Sequence, residues 1–350
     1  MGAPAENSHV GLAKQASFGT PMTTDNLFSY FMFSRGGIAP NNQYIPADDS
    51  IGSGSLLPSI EKGGVFSAGA FEFVPRPVSL GRMLYGVLGK AAAPVADGAG
   101  YKHVLTFDST DEFLLPCFSF RSAPGDLWGE TFQDCRIMSL GLNWKAADMI
   151  RAQMAVIGGL PTPNVTKTAW APETYIDSSP VLLAPTTVIS GFNAYSLKVL
   201  RGAINFGGAF PLDEQWITGS YSPDGLDLVS RQITVSLLIK IADATLYNKM
   251  SYDPANGSAW LASVLQDGDL SIHFKASKTY DTAKPYALKF QANGRTQAQA
   301  DGNIAWTVAP ISLQSGKLVT AMVTGTVLKN AHDTASPVSV ELYNNSATQI

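Results

Sequence analysis

Charge is scarce in this chain, and the scarcity excludes more than any motif includes. Only 15% of its 350 residues are Asp, Glu, Lys or Arg, where soluble domains carry about a quarter. The 24 basic and 28 acidic residues leave a formal charge of −4, with the basic ones scattered instead of clustered among aromatics. That pattern argues against a protein built to grip nucleic acid by neutralising phosphates. It suits a chain that covers much of its surface with other chains. Cysteine is nearly absent: Cys117 and Cys135 stand alone, read as buried thiols of a reducing compartment, with a cross-strand disulfide as the other option. No basic segment followed by an apolar run opens the chain, which points to synthesis in the cytoplasm. The longest charge-free stretch, 178–197, is broken by Pro180 and Pro185, so no membrane span is expected.

Catalytic signatures are missing as well. The sequence holds no nucleophile elbow, phosphate loop, zinc spacing or paired carboxylates on rigid elements, so no catalytic, cofactor or metal residue is assigned and an enzyme is not expected. Gly52 and Gly54 lack the lysine and strand-to-helix context of a phosphate loop, and Asp267-Gly268-Asp269 reads as a hairpin turn instead of a calcium loop. Of the four histidines, His103 and His273 fall on strands that an internal repeat would make equivalent, yet no Cys, Asp or Glu stands in matching register. A structural role is expected for both. The glycosylation sequons at Asn164, Asn256 and Asn344 are taken as chance.

What is present favours sheets. The sequence has 32 Gly, 21 Pro and many Ser and Thr, a composition of strands and turns. Val229, Ile233, Val235, Leu237 and Ile239 alternate with Ser230, Gln232, Thr234, Ser236 and Lys240, which predicts a sheet with one dry and one wet side. Met138, Leu140, Leu142 and Trp144 alternate in the same way with Ser139, Gly141, Asn143 and Lys145. A short helix over 79–88 (SLGRMLYGVL) has an apolar stripe of Leu80, Met83, Leu84 and Val87, with Ser79 placed to cap it and Gly89 to end it.

The order of elements recurs. Segments 65–74 (VFSAGAFEFV) and 79–88 are answered by 227–238 (DLVSRQITVSLL) and 243–250 (DATLYNKM), so Leu84-Tyr85 recurs as Leu246-Tyr247, 162 residues later. Downstream, 116–120 is answered by 285–290 and 149–158 by 317–325, while 30–33 has its counterpart in 195–206. This predicts a mainly β chain of two tandem β-sandwich or barrel domains, each with its own core and one short flanking α-helix. The expected boundaries are an N-terminal arm (1–28), a first repeat (29–158) containing a long Gly- and Pro-rich loop (34–64), a Pro-rich linker (159–187), a second repeat (188–328) and a C-terminal arm (329–350). In that last arm Val338, Val340 and Leu342 alternate as one strand would.

Several of these residues together resemble a family. Segments 11–21 (GLAKQASFGTP), the Gly-rich strand before the Leu-Tyr helix, Gly89, 101–107 (YKHVLTF) and 135–143 (CRIMSLGLN) are similar to the tail tube (major tail) proteins of long-tailed, non-contractile bacteriophages. In the second half 195–205, 219–224 (GSYSPD), the strand from Asp227 and Leu246-Tyr247 continue the likeness in order and spacing. The resemblance implies a structural virion protein, located in the tail, that forms stacked rings around a conduit for the genome. Its implied partners are copies of itself, other tail proteins and double-stranded DNA that passes without specific binding. Two folds per chain imply trimeric, pseudo-hexameric rings in preference to hexamers. About 24 strands spaced by about 4.8 Å and tilted near 40° give a backbone diameter of roughly 48 Å. With side chains about 38 Å remains, enough for a duplex roughly 20 Å across. The expected lumen-facing residues are Arg151 and Gln153 from the first half, and Ser230, Gln232, Thr234 and Ser236 from the second. Negative charge gathered there would let DNA slide. The arms and the 34–64 loop are the expected joints between rings.

The competing reading is a carbohydrate- or receptor-binding β-sandwich of a virion. Trp128, Trp170, Trp216, Trp260 and Trp306 would then serve as platforms for sugar rings.

Overall fold

The computed structural model describes residues 5–46, 59–107, 115–126, 128–165, 170, 172–191, 195–241, 243, 246, 265–266, 270–292, 304–308, 311, 318–329 and 336–347. Gly52, Gly54, Tyr247, Asn256, Trp260, the 267–269 turn and His332 lie outside them. The strands of the N-terminal half are β1 (His9–Lys14), β2 (Ser29–Phe31), β3 (Arg35–Pro46), β4 (Ile60–Phe73), β5 (Gly89–Ala91), β6 (Val95–Asp97), β7 (Gly100–Phe107), β8 (Phe118–Ala123), β9 (Gly129–Lys145), β10 (Arg151–Gly158) and β11 (Pro161–Val165). Helix α1 (Ser79–Leu88) follows β4, and the single turn α2 (Pro172–Tyr175) follows β11. The C-terminal half holds β12 (Leu182–Gly191), β13 (Tyr195–Ser196), β14 (Val199–Ala209), β15 (Ser230–Lys240), β16 (Leu265–Gln266), β17 (Leu270–Asp281), β18 (Lys284–Ala292), β19 (Ile304–Val308), β20 (Thr320–Val327) and β21 (Ser339–Asn344). The chain is mainly β, as the composition predicts.

Two antiparallel sheets face each other. The larger runs β16-β19-β20-β15-β14-β9-β10-β4-β3, with β1, β2, β8 and β11 attached through the N-terminal part of β9. The smaller runs β13-β12-β17-β18-β21-β7-β5. Period-2 burial on strands such as β15, β17 and β21 sends one face inward, where Trp144 of β9 meets Phe274 of β17 edge-on at 5.0 Å and Phe206 of β14 meets Phe290 of β18 at 6.0 Å. Such offset ring pairs add to the area they bury. Helix α1 closes the end of the sandwich: Leu80, Met83 and Leu84 are fully buried, and Gly86 lets the helix settle on Ile137 and Phe118.

The structure corrects several expectations. The two halves do not keep separate cores: one hydrophobic cluster extends from Val10 to Leu342. The cause is strand pairing across the halves, β9 with β14 in one sheet and β21 between β18 and β7 in the other. Segment 329–350 is thus no free arm, because Val338, Val340 and Leu342 complete the chain's own sheet. Segment 1–28 likewise supplies β1, inserted between β2 and β8. The described residues of the 34–64 loop pair as β3 and the start of β4, and the 159–187 linker carries β11, α2 and the start of β12. On β9 a bulge breaks the expected alternation: Ala155 faces Ser139 while Val156 faces Ile137, so Ile137 takes the core position and Met138 turns to a second cluster with Phe66, Ile157, Phe210, Leu226 and Leu228. Val229 precedes β15 and is 55% exposed, off the dry face.

The cap of α1 also differs. Ser79 does not cap the helix through its side chain; its backbone N–H donates at 2.6 Å to Asp177 of the linker segment. Gly89 ends the helix as expected, at φ 90°, with its N–H donated to the carbonyl of Tyr85. In the second half the Leu246 N–H donates to Asp243 Oδ1 at 2.9 Å, the bond of an N-cap.

Candidate functional site

The outer face of the larger sheet is an extended polar surface, and its residues are set by register. One cross-strand row reads Arg35, Glu72, Gln153, Gly141, Asn205, Thr234, Thr326 and Ala305, crossing β3, β4, β10, β9, β14, β15, β20 and β19. A second row reads Arg151, Asn143, Ala203, Ser236, Thr324 and Thr307. A third brings Ala155, Ser139, Gly207 and Gln232 together. Directly opposite residues of an antiparallel pair share a face, so all six predicted residues lie on this one surface. Arg151, Gln153, Ser230 and Gln232 are exposed, and Thr234 and Ser236 are half-buried by neighbours. Beneath them Ala152, Met154, Ile233, Val235 and Leu237 are buried.

Register also adds residues that local periodicity left unpaired: Arg35, Glu72, Asn205, Thr324, Thr326 and Thr307. At the β3 edge Arg35 binds Glu72 with both forks, Nε at 2.6 Å and Nη2 at 2.5 Å, and Gln153 Nε2 donates to the same carboxylate at 2.6 Å. These donors, with Arg35 foremost, hold Glu72 below the usual carboxylate range, and the carboxylate raises the Arg35 guanidinium in turn. Gly141 sits mid-row because a Cβ there would fall 2.8 Å from Asn205 Oδ1.

The electrostatics run against expectation. Although the whole chain carries −4, Arg35, Lys145, Arg151, Arg201 and Lys240 share this face, and Glu72 is the acid that the described cross-strand rows place beside them. Acids concentrate elsewhere, for example Asp97 with Lys284 (2.5 Å) and Glu341 with Lys102 (2.6 Å) on the smaller sheet. Among the described residues of these rows, basic side chains therefore outnumber the acidic one, the reverse of the expected sign.

Other candidates separate. His103 and His273 lie on β7 and β17 with two strands between them. His273 is in register with Lys289 and Glu341, whereas His103 is in register with Leu342 and Leu288, on the opposite face. His103 Nε2 is held by Asn344 Oδ1 at 3.1 Å and the Ser346 carbonyl at 3.0 Å. Among the described residues no group of three or more His, Cys, Asp or Glu could hold a metal ion. Cys117 and Cys135 are buried and unbridged, and burial pushes both thiols up. Of the described tryptophans, Trp170 and Trp306 are buried, and Trp216 packs over Gly64. Trp128 is exposed, with no second exposed tryptophan among the described residues. No described helix is long and apolar enough to cross a membrane.

No curated protein matches the chain. The family model described as phage tail tube protein matches residues 5–308, nearly its full length. That match, on a mainly β chain with one long polar sheet face, shows that the chain belongs to the phage tail tube protein family and is a structural protein of the virion tail.

Proposed function

We propose that three copies of this chain close into a ring whose polar sheet face lines a channel for double-stranded DNA, and that such rings stack into the tube that delivers the genome. One observation carries the reading. In the larger sheet the order β3-β4-β10-β9 is followed by β14-β15-β20-β19, the same succession of early hairpin, late strand and penultimate strand in each half. The chain then carries two tube folds, 29–158 and 188–328, and the β9–β14 pairing is a ready-made joint between them. At the far ends β3 has no outer partner among the described residues, and β16 pairs only with Ile304 and Ala305 of β19. Pairing β19 of one copy with β3 of the next repeats that joint and removes both edges, which would otherwise invite aggregation. Eight strands from each of three copies give about 24, the number for which the bore is about 38 Å.

On this reading Arg151, Gln153, Ser230, Gln232, Thr234 and Ser236 face the lumen. The β3–β4 hairpin carries exposed Tyr44, Ile45 and Ile60, an apolar surface suited to packing on the next ring or on another tail protein. Assembly takes place in the host cytoplasm, where the thiols stay reduced. The test combines Gly37→Cys on β3 with Thr307→Cys on β19 and a flexible bismaleimide linker. Covalent products ending at trimers, with rings or hollow filaments in negative stain, are expected. A ladder ending at hexamers overturns the stoichiometry, and monomers alone at high concentration overturn the ring.

A further inference from the structure

The polar face is not electrically uniform. Arg201 of β14 pairs with Lys145 at the end of β9, and Arg151 opens β10 beside Asn143. All three side chains are exposed and line a single hollow of about 310 Å³ whose floor includes Trp144 and Gly202. Gly202 is required there, because a Cβ would fall 2.2 Å from the Trp144 ring. No ion pair engages these three cations among the described residues. Two acids lie nearby and offset part of this charge: Asp148 lines the hollow and accepts the Met149 N–H at 2.7 Å, and Glu72, bound by Arg35 and Gln153, also feels the charge of Arg151. Lys240 extends the band at the same end of β15.

We infer that this hollow is a seat for the phosphate backbone of duplex DNA, a resting contact inside the channel; the inference rests on the proposal that the polar face is the channel wall. Charge selects the occupant: three exposed cations rim one largely apolar hollow and fit a polyanion, whereas Arg35, the long cation at the β3 edge, is already paired with Glu72. In a bore of about 38 Å a duplex roughly 20 Å wide leaves about 9 Å on each side. Serine, threonine and asparagine stop short of that gap, whereas lysine and arginine extend into it. Guanidinium groups also match phosphate geometry with two donors each. Contacts of this kind are exposed and screened by salt, so they hold a stationary duplex and still allow sliding.

The test uses the full chain and a labelled 20-base-pair duplex, with affinity measured against salt. Three phosphate contacts predict a slope of log K on log salt near −2.7, which is about a forty-fold loss of affinity between 50 and 200 mM. Combining Lys145→Gln, Arg151→Gln and Arg201→Gln is expected to abolish that slope. Lys278→Gln, an exposed lysine of the smaller sheet, is expected to leave it unchanged. An undiminished slope in the triple variant overturns the inference, as does binding of poly-glutamate at this hollow in place of DNA. Negative stain of the same preparations reads the underlying proposal separately. Tubes with no change in slope refute the DNA seat alone, and an absence of tubes in the wild type refutes the channel.

Discussion

Asp177 offers the sharpest quantitative test of how the fold is held. Its buried carboxylate lies 98 residues from α1 yet accepts the Ser79 N–H at 2.6 Å through Oδ2 and the Ser179 N–H at 2.9 Å through Oδ1. It therefore caps the helix and fixes the linker segment with one side chain. Asp177→Ala removes a helix cap, a loss of about 1 kcal/mol, and leaves a second partly buried N–H unpaired, a further cost of about 1–2 kcal/mol. The expected loss is about 2–3 kcal/mol in urea unfolding. Asp177→Asn retains one acceptor but gives up the charge at the positive end of the helix, about 0.5–1 kcal/mol, and turns an amide NH2 toward a donor, so about 1.5–2 kcal/mol is expected. Ser79→Ala is expected to cost under about 0.5 kcal/mol, since the Ser79 hydroxyl makes only a 3.5 Å contact to the Arg76 carbonyl. A Ser79→Ala loss equal to that of Asp177→Ala would refute the assignment of the cap.

Two further outcomes follow from buried polar groups. Burial holds His103 below its ordinary value, so between the folded and unfolded pKa the unfolded chain binds more protons; the stability due to neutral His103 is full above about pH 6.5 and is lost as pH falls through the folded value. The thermal midpoint of the wild type should therefore drop more from pH 7 to pH 5 than that of His103→Gln, and equal drops would exclude His103 as the source. Arg121 pairs with Asp25, donates to the Thr23 carbonyl at 2.8 Å and lies over the Phe28 and Trp170 rings at 3.9 and 4.9 Å. Arg121→Ala should cost about 3 kcal/mol and expose the amides of residues 22–28 to hydrogen exchange, whereas a change within about 0.5 kcal/mol would show that the N-terminal segment is held by its apolar contacts.

The residues that were legible in the sequence are those whose burial is local. Ile233, Val235, Leu237 and Ile239 alternate because β15 has one dry side, and Leu80, Met83, Leu84 and Val87 repeat with the helical period because α1 lies on a core. The β3 strand was not legible for the opposite reason. Apart from Ile38 its residues are exposed on both sides, so no alternation marks it, and its order comes from backbone bonds to β4 that its Gly, Pro and Asn residues do not advertise. The Met138 bulge is similarly silent, since inserting one residue leaves the apolar composition intact while moving Ile137 into the core.

By itself the sequence determined the β class, the short helix with its Gly89 stop and the polar side of the strands now seen as one face. All of these depend on residues close together in the chain. Only the tertiary structure decided that β9 pairs with β14, that β21 enters the chain's own sheet, that Asp177 caps α1 and that Lys145, Arg151 and Arg201 meet at one hollow. Those outcomes are set by which strand edges lie side by side, and edge pairing uses the backbone N–H and C=O that every residue carries, so residue identity records little of the choice.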